Sequence, residues 1–116
     1  MDKIYFRRFE TTARMGVFPH EKKAPQPICI SLEFNVDSKK AACCDALQAT
    51  IDYDEIKSTL LAVIAKQHYQ LIETLAEAIS ENLFKRFPIS YLKLSVEKTA
   101  IYSDMEAVGI TLIRQC

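Results

Sequence analysis

A lysine ends the apolar row of the segment LKLSVEK, residues 92–98. The segment alternates with a period of two, so Leu92, Leu94 and Val96 share one face, and the next position on that face is the lysine. An unpaired lysine is costly to bury, and lysines lie inside proteins when they are paired or when their proton is used. The alternative is a lysine at a strand end whose stem packs while its ammonium group reaches water. Its position on the same face as Leu92, Leu94 and Val96 makes Lys98 the first candidate for proton transfer.

Two carboxylates and a phenol are further candidates for proton transfer or for binding a polar ligand. Glu73 lies in the first turn of a predicted helix, where its alternative role is a favourable interaction with the helix dipole. Glu21 lies in a polar loop after Gly16, and the alternative there is a solvated side chain. Tyr53 begins another predicted helix and could instead pack over the end of that helix. Because each residue has an ordinary structural role, none of them alone specifies a site.

The residue patterns of the common catalytic sites do not occur in this sequence. The two histidines, His20 and His68, form no HxH or HExxH pair, which disfavours a zinc site. There is no glycine-rich loop that could bind a phosphate group, and no GxSxG sequence marks a nucleophilic serine. We therefore expect chemistry that uses lysine, carboxylate and tyrosine side chains with water, and no metal ion.

The elements that would position these side chains follow from hydrophobic periodicity. Period-two alternation predicts four strands and helical periodicity predicts two helices, with an irregular segment at 38–52. The second helix is expected to end before Pro88, because the residue before a proline disfavours helical angles. In chain order the predicted strands and helices are 3–15, 27–37, 53–67, 71–87, 92–98 and 107–115. This order predicts an α+β fold, a four-stranded antiparallel sheet with both helices inserted between strands 2 and 3 on one face.

Composition limits the class of protein. The 116 residues are expected to form one domain, residues 1–116, around a single core. Basic and acidic residues both number 15, and the resulting zero net charge argues against a nucleic-acid or membrane-surface partner. No apolar run is long enough to span a membrane, and charges interrupt the start of the chain, where a secretory signal is apolar. The four cysteines form no CxxC pair and are interpreted as free thiols, so we expect a cytoplasmic protein.

The predicted sheet leaves one face and two edges uncovered. The side chains on the second face are mixed polar, and no further element remains to cover them. Open sheet edges pair readily with another chain. We therefore expect a homo-oligomer in which sheets join edge to edge into a larger closed barrel, with clefts between subunits where residues of two chains meet.

Several short segments at fixed spacing form the most distinctive pattern in the chain. They are GVFPHE at 16–21, Gln26, IDY at 51–53, LIETLAEAI at 71–79 and VEK at 96–98. This pattern resembles that of the dihydroneopterin aldolase family of folate biosynthesis over nearly the whole chain, and dihydroneopterin triphosphate epimerase shares much of it. The resemblance implies the tunnelling fold, with element order β-β-α-α-β-β, and assembly into tetrameric rings that stack as octamers.

The resemblance implies an aldehyde-lyase that cleaves the C1′–C2′ bond of 7,8-dihydroneopterin into 6-hydroxymethyl-7,8-dihydropterin and glycolaldehyde. The C6=N5 imine of the substrate accepts the electrons, so the implied reaction needs proton transfer and neither a metal ion nor a cofactor. By this resemblance Lys98 is the general acid and base, and Glu21 lies near it and the pterin. The Glu73 carboxylate and the Ile72 backbone bind the pterin ring, and a neighbouring subunit supplies Tyr53 near the substrate side chain.

Two alternatives to the aldolase remain open. Inversion at C2′ uses the same bond cleavage, so the pattern also fits a dihydroneopterin or dihydroneopterin triphosphate 2′-epimerase. A non-catalytic pterin-binding ring or scaffold would require Glu73 but not Lys98. One departure from the family bears on substrate preference, because Thr99 follows the lysine where many members have proline, and the loop 99–109 can differ in shape.

Overall fold

The computed structural model describes residues 1–116, which form a four-stranded sheet with helices inserted between its second and third strands. The strands are β1 Asp2–Ala13, β2 Gln26–Val36, β3 Tyr91–Lys98 and β4 Val108–Gln115. The helices are α1 Ser38–Cys44, α2 Tyr53–Ala65 and α3 Ile72–Arg86, and short 3₁₀ helices occupy Pro19–Lys22 and Leu47–Ala49. The predicted α+β class and the β-β-α-α-β-β order of the long elements are confirmed.

The sheet is antiparallel throughout, and its strands lie in sequence order, so β1 and β4 form the two edges. The predicted alternation in the two central strands is confirmed, because one face of each strand is buried. The core-facing side chains of these strands are Ile28, Ile30, Leu32, Phe34, Leu92, Leu94 and Val96. Lys98 is the next position on this face, at the last residue of β3, where it pairs with Ile28 on β2 and Val108 on β4.

The long helices α2 and α3 cover this face of the sheet. Each presents an apolar stripe at helical spacing, as the sequence predicts. The buried residues of the stripes are Ile56, Leu60, Val63, Ile64, Leu75, Ala76, Ile79 and Leu83. The Asp52 side chain caps α2 by accepting a hydrogen bond from the backbone N–H of Asp54 at 2.9 Å. Because only residues 66–71 join the two packed helices, α2 and α3 run in opposite directions.

The segment 38–52 is where the structure differs most from the sequence prediction. It was expected to be irregular, but it contains α1 and the 3₁₀ helix Leu47–Ala49. Asp37 caps α1 by accepting a hydrogen bond from the Lys40 N–H at 3.1 Å, and Asp45 ends it with a left-handed φ of 46°. No residue of α1 is buried. Hydrophobic periodicity misses this helix because local capping, and not a core-facing stripe, defines it.

The other face of the sheet carries no helix. The strand β1 has a bulge between Phe6 and Phe9, where Arg8 adopts a φ of 57° and its N–H donates to the Ser31 hydroxyl at 3.0 Å. Large side chains such as Tyr5 on β1 and Ile113 on β4 are exposed on this uncovered face. None of the helices is long and apolar enough to cross a membrane.

Candidate active site

Lys98 and Glu21 form an ion pair at the end of the sheet. Their Nζ and Oε2 atoms are 3.1 Å apart, and the two side chains are only 15% and 9% exposed. The lysine therefore neither enters the core unpaired nor extends freely into water. A partly buried pair of this kind holds a proton donor and an acceptor at a defined distance.

The chain around Gly16 brings Glu21 to this position. A short 3₁₀ helix begins at Pro19, and the Phe18 N–H donates to Glu21 Oε1 at 3.4 Å. Gly16 has a φ of 116°, and a Cβ atom at that position would lie 2.5 Å from the Cβ of Glu21. The glycine is therefore required both for the left-handed backbone and for the close approach of the carboxylate side chain.

Gln26, the first residue of β2, is a third member of the cluster. Its Nε2 group donates to Glu21 Oε2 at 3.2 Å and to the backbone carbonyl of Met15 at 2.8 Å. The hydrogen bond from Gln26 lowers the pKa of the Glu21 carboxyl below its ordinary value, and the contacts with Lys98 and the Phe18 N–H lower it further against the effect of burial. The carboxylate is thus held in its charged, hydrogen-bond-accepting form.

A cleft of about 540 Å³ opens next to this cluster. Lys98, Glu21 and Gln26 supply polar groups to it, and its apolar walls are formed by Phe18, Pro25, Ile101, Tyr102 and Val108. Part of the wall comes from the loop that follows Thr99. Few polar groups among apolar and aromatic walls are typical of small-molecule sites.

Hydrogen bonds connect the segment that leads to Glu21 with the residues between α2 and α3, and we call this contact the joint between Gly16 and Tyr69. The Gly16 N–H donates to the Tyr69 carbonyl at 2.9 Å, and the Tyr69 N–H donates to the Arg14 carbonyl at 3.0 Å. The His68 ring nitrogen Nε2 donates to the Gly16 carbonyl at 2.8 Å, and the Tyr69 hydroxyl donates to the Val63 carbonyl at 2.7 Å. Sequence reasoning considered His68 only as a metal ligand, and no spacing signal in the chain points to this structural role.

Glu73 and Ile72 lie at the start of α3, at the same end of the molecule as Lys98. This follows from the direction of the chain, because α3 leads through residues 87–90 into β3, which packs against it and ends at Lys98. Glu73 is exposed in the first turn, Ile72 is half-buried, and the preceding Leu71 provides no side-chain cap. The first backbone N–H groups of α3 are therefore left without a side-chain partner, next to an exposed carboxylate.

Tyr53 does not join the other candidates within one chain. It is 59% exposed at the first residue of α2. The helix has 13 residues and is about 20 Å long, and it runs opposite to α3, so Tyr53 lies at the far end from Glu73. No group of three or more His, Cys, Asp or Glu side chains is arranged to hold a metal ion.

The chain resembles known proteins over almost its full length. The family model described as dihydroneopterin aldolase matches residues 4–113. A dihydroneopterin aldolase from Methylorubrum extorquens is 33% identical over 116 residues, covering 97% of this chain and 89% of the relative.

Solved structures show the same fold. A dihydroneopterin aldolase from Burkholderia thailendensis, crystallised with guanine, is 27% identical with a TM-score of 0.85, and the match covers 99% of this chain and 91% of that one. The E. coli dihydroneopterin aldolase in complex with neopterin superposes with a TM-score of 0.94 at 24% identity, covering 98% of this chain and 99% of that one.

Proposed function

The chain belongs to the dihydroneopterin aldolase family of aldehyde-lyases, and we propose that it cleaves 7,8-dihydroneopterin with the Lys98–Glu21 pair as its proton-transfer groups. The products are 6-hydroxymethyl-7,8-dihydropterin, an intermediate of folate biosynthesis, and glycolaldehyde. The observation that carries this proposal is the partly buried ion pair that opens onto an apolar cleft.

The reaction requires protons to move at defined atoms. The 2′-hydroxyl loses its proton, the C1′–C2′ electron pair moves into the C6=N5 imine, N5 takes up a proton, and glycolaldehyde leaves. In the second step C1′ takes a proton and N5 releases one, which restores the imine in the product. Because the substrate accepts the electrons itself, the protein has to supply acid and base groups at N5, the 2′-hydroxyl and C1′.

The hydrogen bonding of Lys98 in the free protein leaves it able to donate a proton. An ammonium group has three N–H donors, and the Lys98 group gives one of them to Glu21. The remaining two are available to N5 of a pterin in the cleft, directly or through one water. Glu21 stays a carboxylate and stabilises the charged lysine between turnovers.

We assign the pterin ring to the start of α3. The ring presents an N3–H group and a 2-amino group side by side, and a carboxylate accepts both in a bidentate contact. Glu73 is exposed for such a contact, and the Ile72 backbone lies next to it. Guanine has the same pair of donors, and its presence in the structure of the Burkholderia relative supports this assignment.

A second subunit is part of the proposal, because one chain cannot bring Tyr53 to Glu73. The edges β1 and β4 are unpaired, and pairing β1 of one copy with β4 of the next would extend the sheet into a ring. The start of α2 of a neighbouring copy then supplies Tyr53 to the substrate side chain. We propose a homotetrameric or octameric assembly with sites between subunits.

A cytoplasmic location completes the proposal. All four cysteines are free, and the neighbouring Cys43 and Cys44 are both exposed. Exposed unpaired thiols suit a reducing compartment such as the cytoplasm.

Product analysis tests the proposal. Purified protein treated with a chelator is incubated with 7,8-dihydroneopterin, and we expect 6-hydroxymethyl-7,8-dihydropterin and glycolaldehyde in equal amounts. Lys98→Ala should reduce single-turnover rates by about 10²–10⁴-fold, the usual contribution of a general acid or base. Lys93→Ala is the matched control, because Lys93 is an exposed lysine of the same strand on the opposite face.

Two results would contradict the mechanism. A rate for Lys98→Ala close to that of the Lys93→Ala control would remove the lysine from the reaction. Borohydride added with substrate should trap no adduct on Lys98, since no Schiff base forms, and a trapped adduct would require a different mechanism.

A further inference from the structure

Gln26 has no place among the proton transfers described above, although its amide lies in the cleft between Glu21 and the buried Met15. We propose that Gln26 is a positioning residue that holds the Glu21 carboxylate aimed at Lys98 and keeps it in its charged, hydrogen-bond-accepting form. This inference rests on the proposed function and deepens it. It assigns to Gln26 the orientation of the carboxylate that holds the Lys98 ammonium group.

The orientation of the Gln26 amide follows from its partners. Both atoms near Nε2 are acceptors, namely the Met15 carbonyl oxygen at 2.8 Å and Glu21 Oε2 at 3.2 Å. Only the NH₂ end of the amide can serve both, because the carbonyl end would face two other oxygens. The glutamine is therefore a fixed double donor.

The two ends of this contact are held by rigid parts of the fold. Gln26 begins β2 and pairs with Ala13 on β1, so its backbone is fixed by the sheet. Met15 is fully buried and forms a bridge with Tyr69. The amide consequently spans two anchored points, and Glu21 Oε2 lies within its reach.

The hydrogen bond from Gln26 favours the charged form of Glu21, because the accepting oxygen is shared with Lys98. Glu21 Oε2 receives N–H groups from both Gln26 and Lys98. A proton placed on this oxygen would have to face two donors, which costs the hydrogen bonds that both groups make. Glu21 thereby stays an acceptor for the Lys98 ammonium group, which the proposed reaction needs as an acid.

Other ionisable groups surround Glu21 but do not bond to it. His20 lies on the same 3₁₀ helix and lines the cleft, and His68, from the connection before α3, bonds to Gly16 instead. Gln26 and Lys98 are therefore the side chains that donate hydrogen bonds to the Glu21 carboxylate.

The test follows the Glu21 carboxyl directly and does not depend on turnover. Carbon-13 NMR of labelled glutamate side chains is recorded against pH for the parent, Gln26→Leu and Gln26→Glu, with assignment by Glu21→Gln. In Gln26→Leu the Glu21 titration should move up by about 1 pH unit, because a hydrogen bond to the charged form is lost. In Gln26→Glu the two facing carboxyls should titrate as a coupled pair, with the first proton bound at higher pH than in the parent.

Asn82→Leu is the matched control. It also removes a side-chain amide donor, the one that Asn82 gives to the Ala78 carbonyl at 2.8 Å within α3. This variant should leave the Glu21 titration unchanged. Thermal unfolding of each variant verifies that the fold is intact, and Gln26→Glu, which is nearly isosteric, decides the question if Gln26→Leu does not fold.

Kinetics give the second measurement. With dihydroneopterin, the acid limb of the kcat/KM profile should move to higher pH in Gln26→Leu in step with the NMR titration, while Asn82→Leu follows the parent. A Glu21 titration that is the same in the parent and both Gln26 variants overturns the inference. If the NMR shift occurs but the parent does not cleave dihydroneopterin, the proposed function fails and the control of Glu21 by Gln26 stands.

Discussion

The Glu21 carboxylate receives three hydrogen bonds, one from the Phe18 N–H and two from side chains. With three donors around a side chain that is only 9% exposed, the charged form is favoured before any substrate arrives. Lys98 is held at 3.1 Å by the same carboxylate. A substrate atom that enters the cleft therefore meets an oriented donor, and little further ordering of the protein is needed for proton transfer.

The proposed mechanism assigns ring binding to Glu73 and proton transfer to Lys98 and Glu21, and Glu73→Gln tests the assignment of ring binding. The variant keeps the size of the side chain but replaces one acceptor with an amide donor, aimed at ring groups that also donate. Equilibrium binding of 6-hydroxymethylpterin should weaken by about 2–4 kcal/mol, as expected when a charged partner is lost from a desolvated contact. Glu81→Gln, a change at an exposed carboxylate of the same helix, should bind normally. Equal affinities of the two variants would place the pterin elsewhere.

The residues of this site differ in how visible they are in the sequence. Lys98 can be identified as a candidate from the sequence, because strand alternation has a period of two and the lysine occupies a core-facing position. Its proximity to Glu21 is expected from the family resemblance and not from periodicity, since the two residues are 77 positions apart and meet only when the Gly16 turn packs against the end of β3. Gln26 is visible through the family resemblance alone, and the bond from His68 to a backbone carbonyl leaves no pattern.

At the scale of elements, the site lies where three chain segments end together. The turn after β1 carries Glu21, the start of α3 carries Glu73, and the end of β3 carries Lys98. The joint between Gly16 and Tyr69 links the first two, because α3 begins three positions beyond the tyrosine. A change in this joint should therefore disturb the Lys98–Glu21 ion pair and Glu73 together.

Gly16→Ala tests how tightly the turn is packed. The new Cβ would overlap the Glu21 side chain and would also require a left-handed φ, so stability should fall by about 1–3 kcal/mol in urea unfolding. Glu21→Gly removes the overlapping side chain but not the φ requirement. The double variant should consequently lose less stability than the two single losses combined, and strictly additive losses would show that the glycine and the glutamate are not in contact.

The long elements were predictable because each of them buries one face. Alternation identified β2 and β3, and helical periodicity identified α2 and α3, to within a few residues at their ends. The helix α1, which has no buried residue, was missed, as were the 3₁₀ helices, since they are defined by caps and local hydrogen bonds. Hydrophobic periodicity reveals an element only where one of its faces is buried, so it does not identify an element without buried residues.

At the scale of the whole molecule, the residues assigned to the proposed site lie at two opposite ends of a single chain. One end holds Lys98, Glu21 and Glu73, and the other holds Tyr53 at the start of α2. The sheet between them has two unpaired edges and an uncovered face with exposed side chains such as Tyr5 and Ile113. A ring of copies joined at these edges would pair every edge, and the proposed shared site requires that the Tyr53 end of one copy meet the Lys98 end of its neighbour.

Mixing inactive subunits tests this assembly. Tyr53→Ala and Lys98→Ala each remove a different part of the shared site, and both are expected to be poorly active alone. In a mixed oligomer, a site is complete where the intact Lys98 of one chain meets the intact Tyr53 of its neighbour, so an equal mixture should recover about a quarter of the parent activity if subunits mix at random in a symmetric ring. Light scattering on the same samples should show one oligomeric species. No recovery in verified mixed oligomers, or a fully active monomer, would mean that a single chain supplies the complete site.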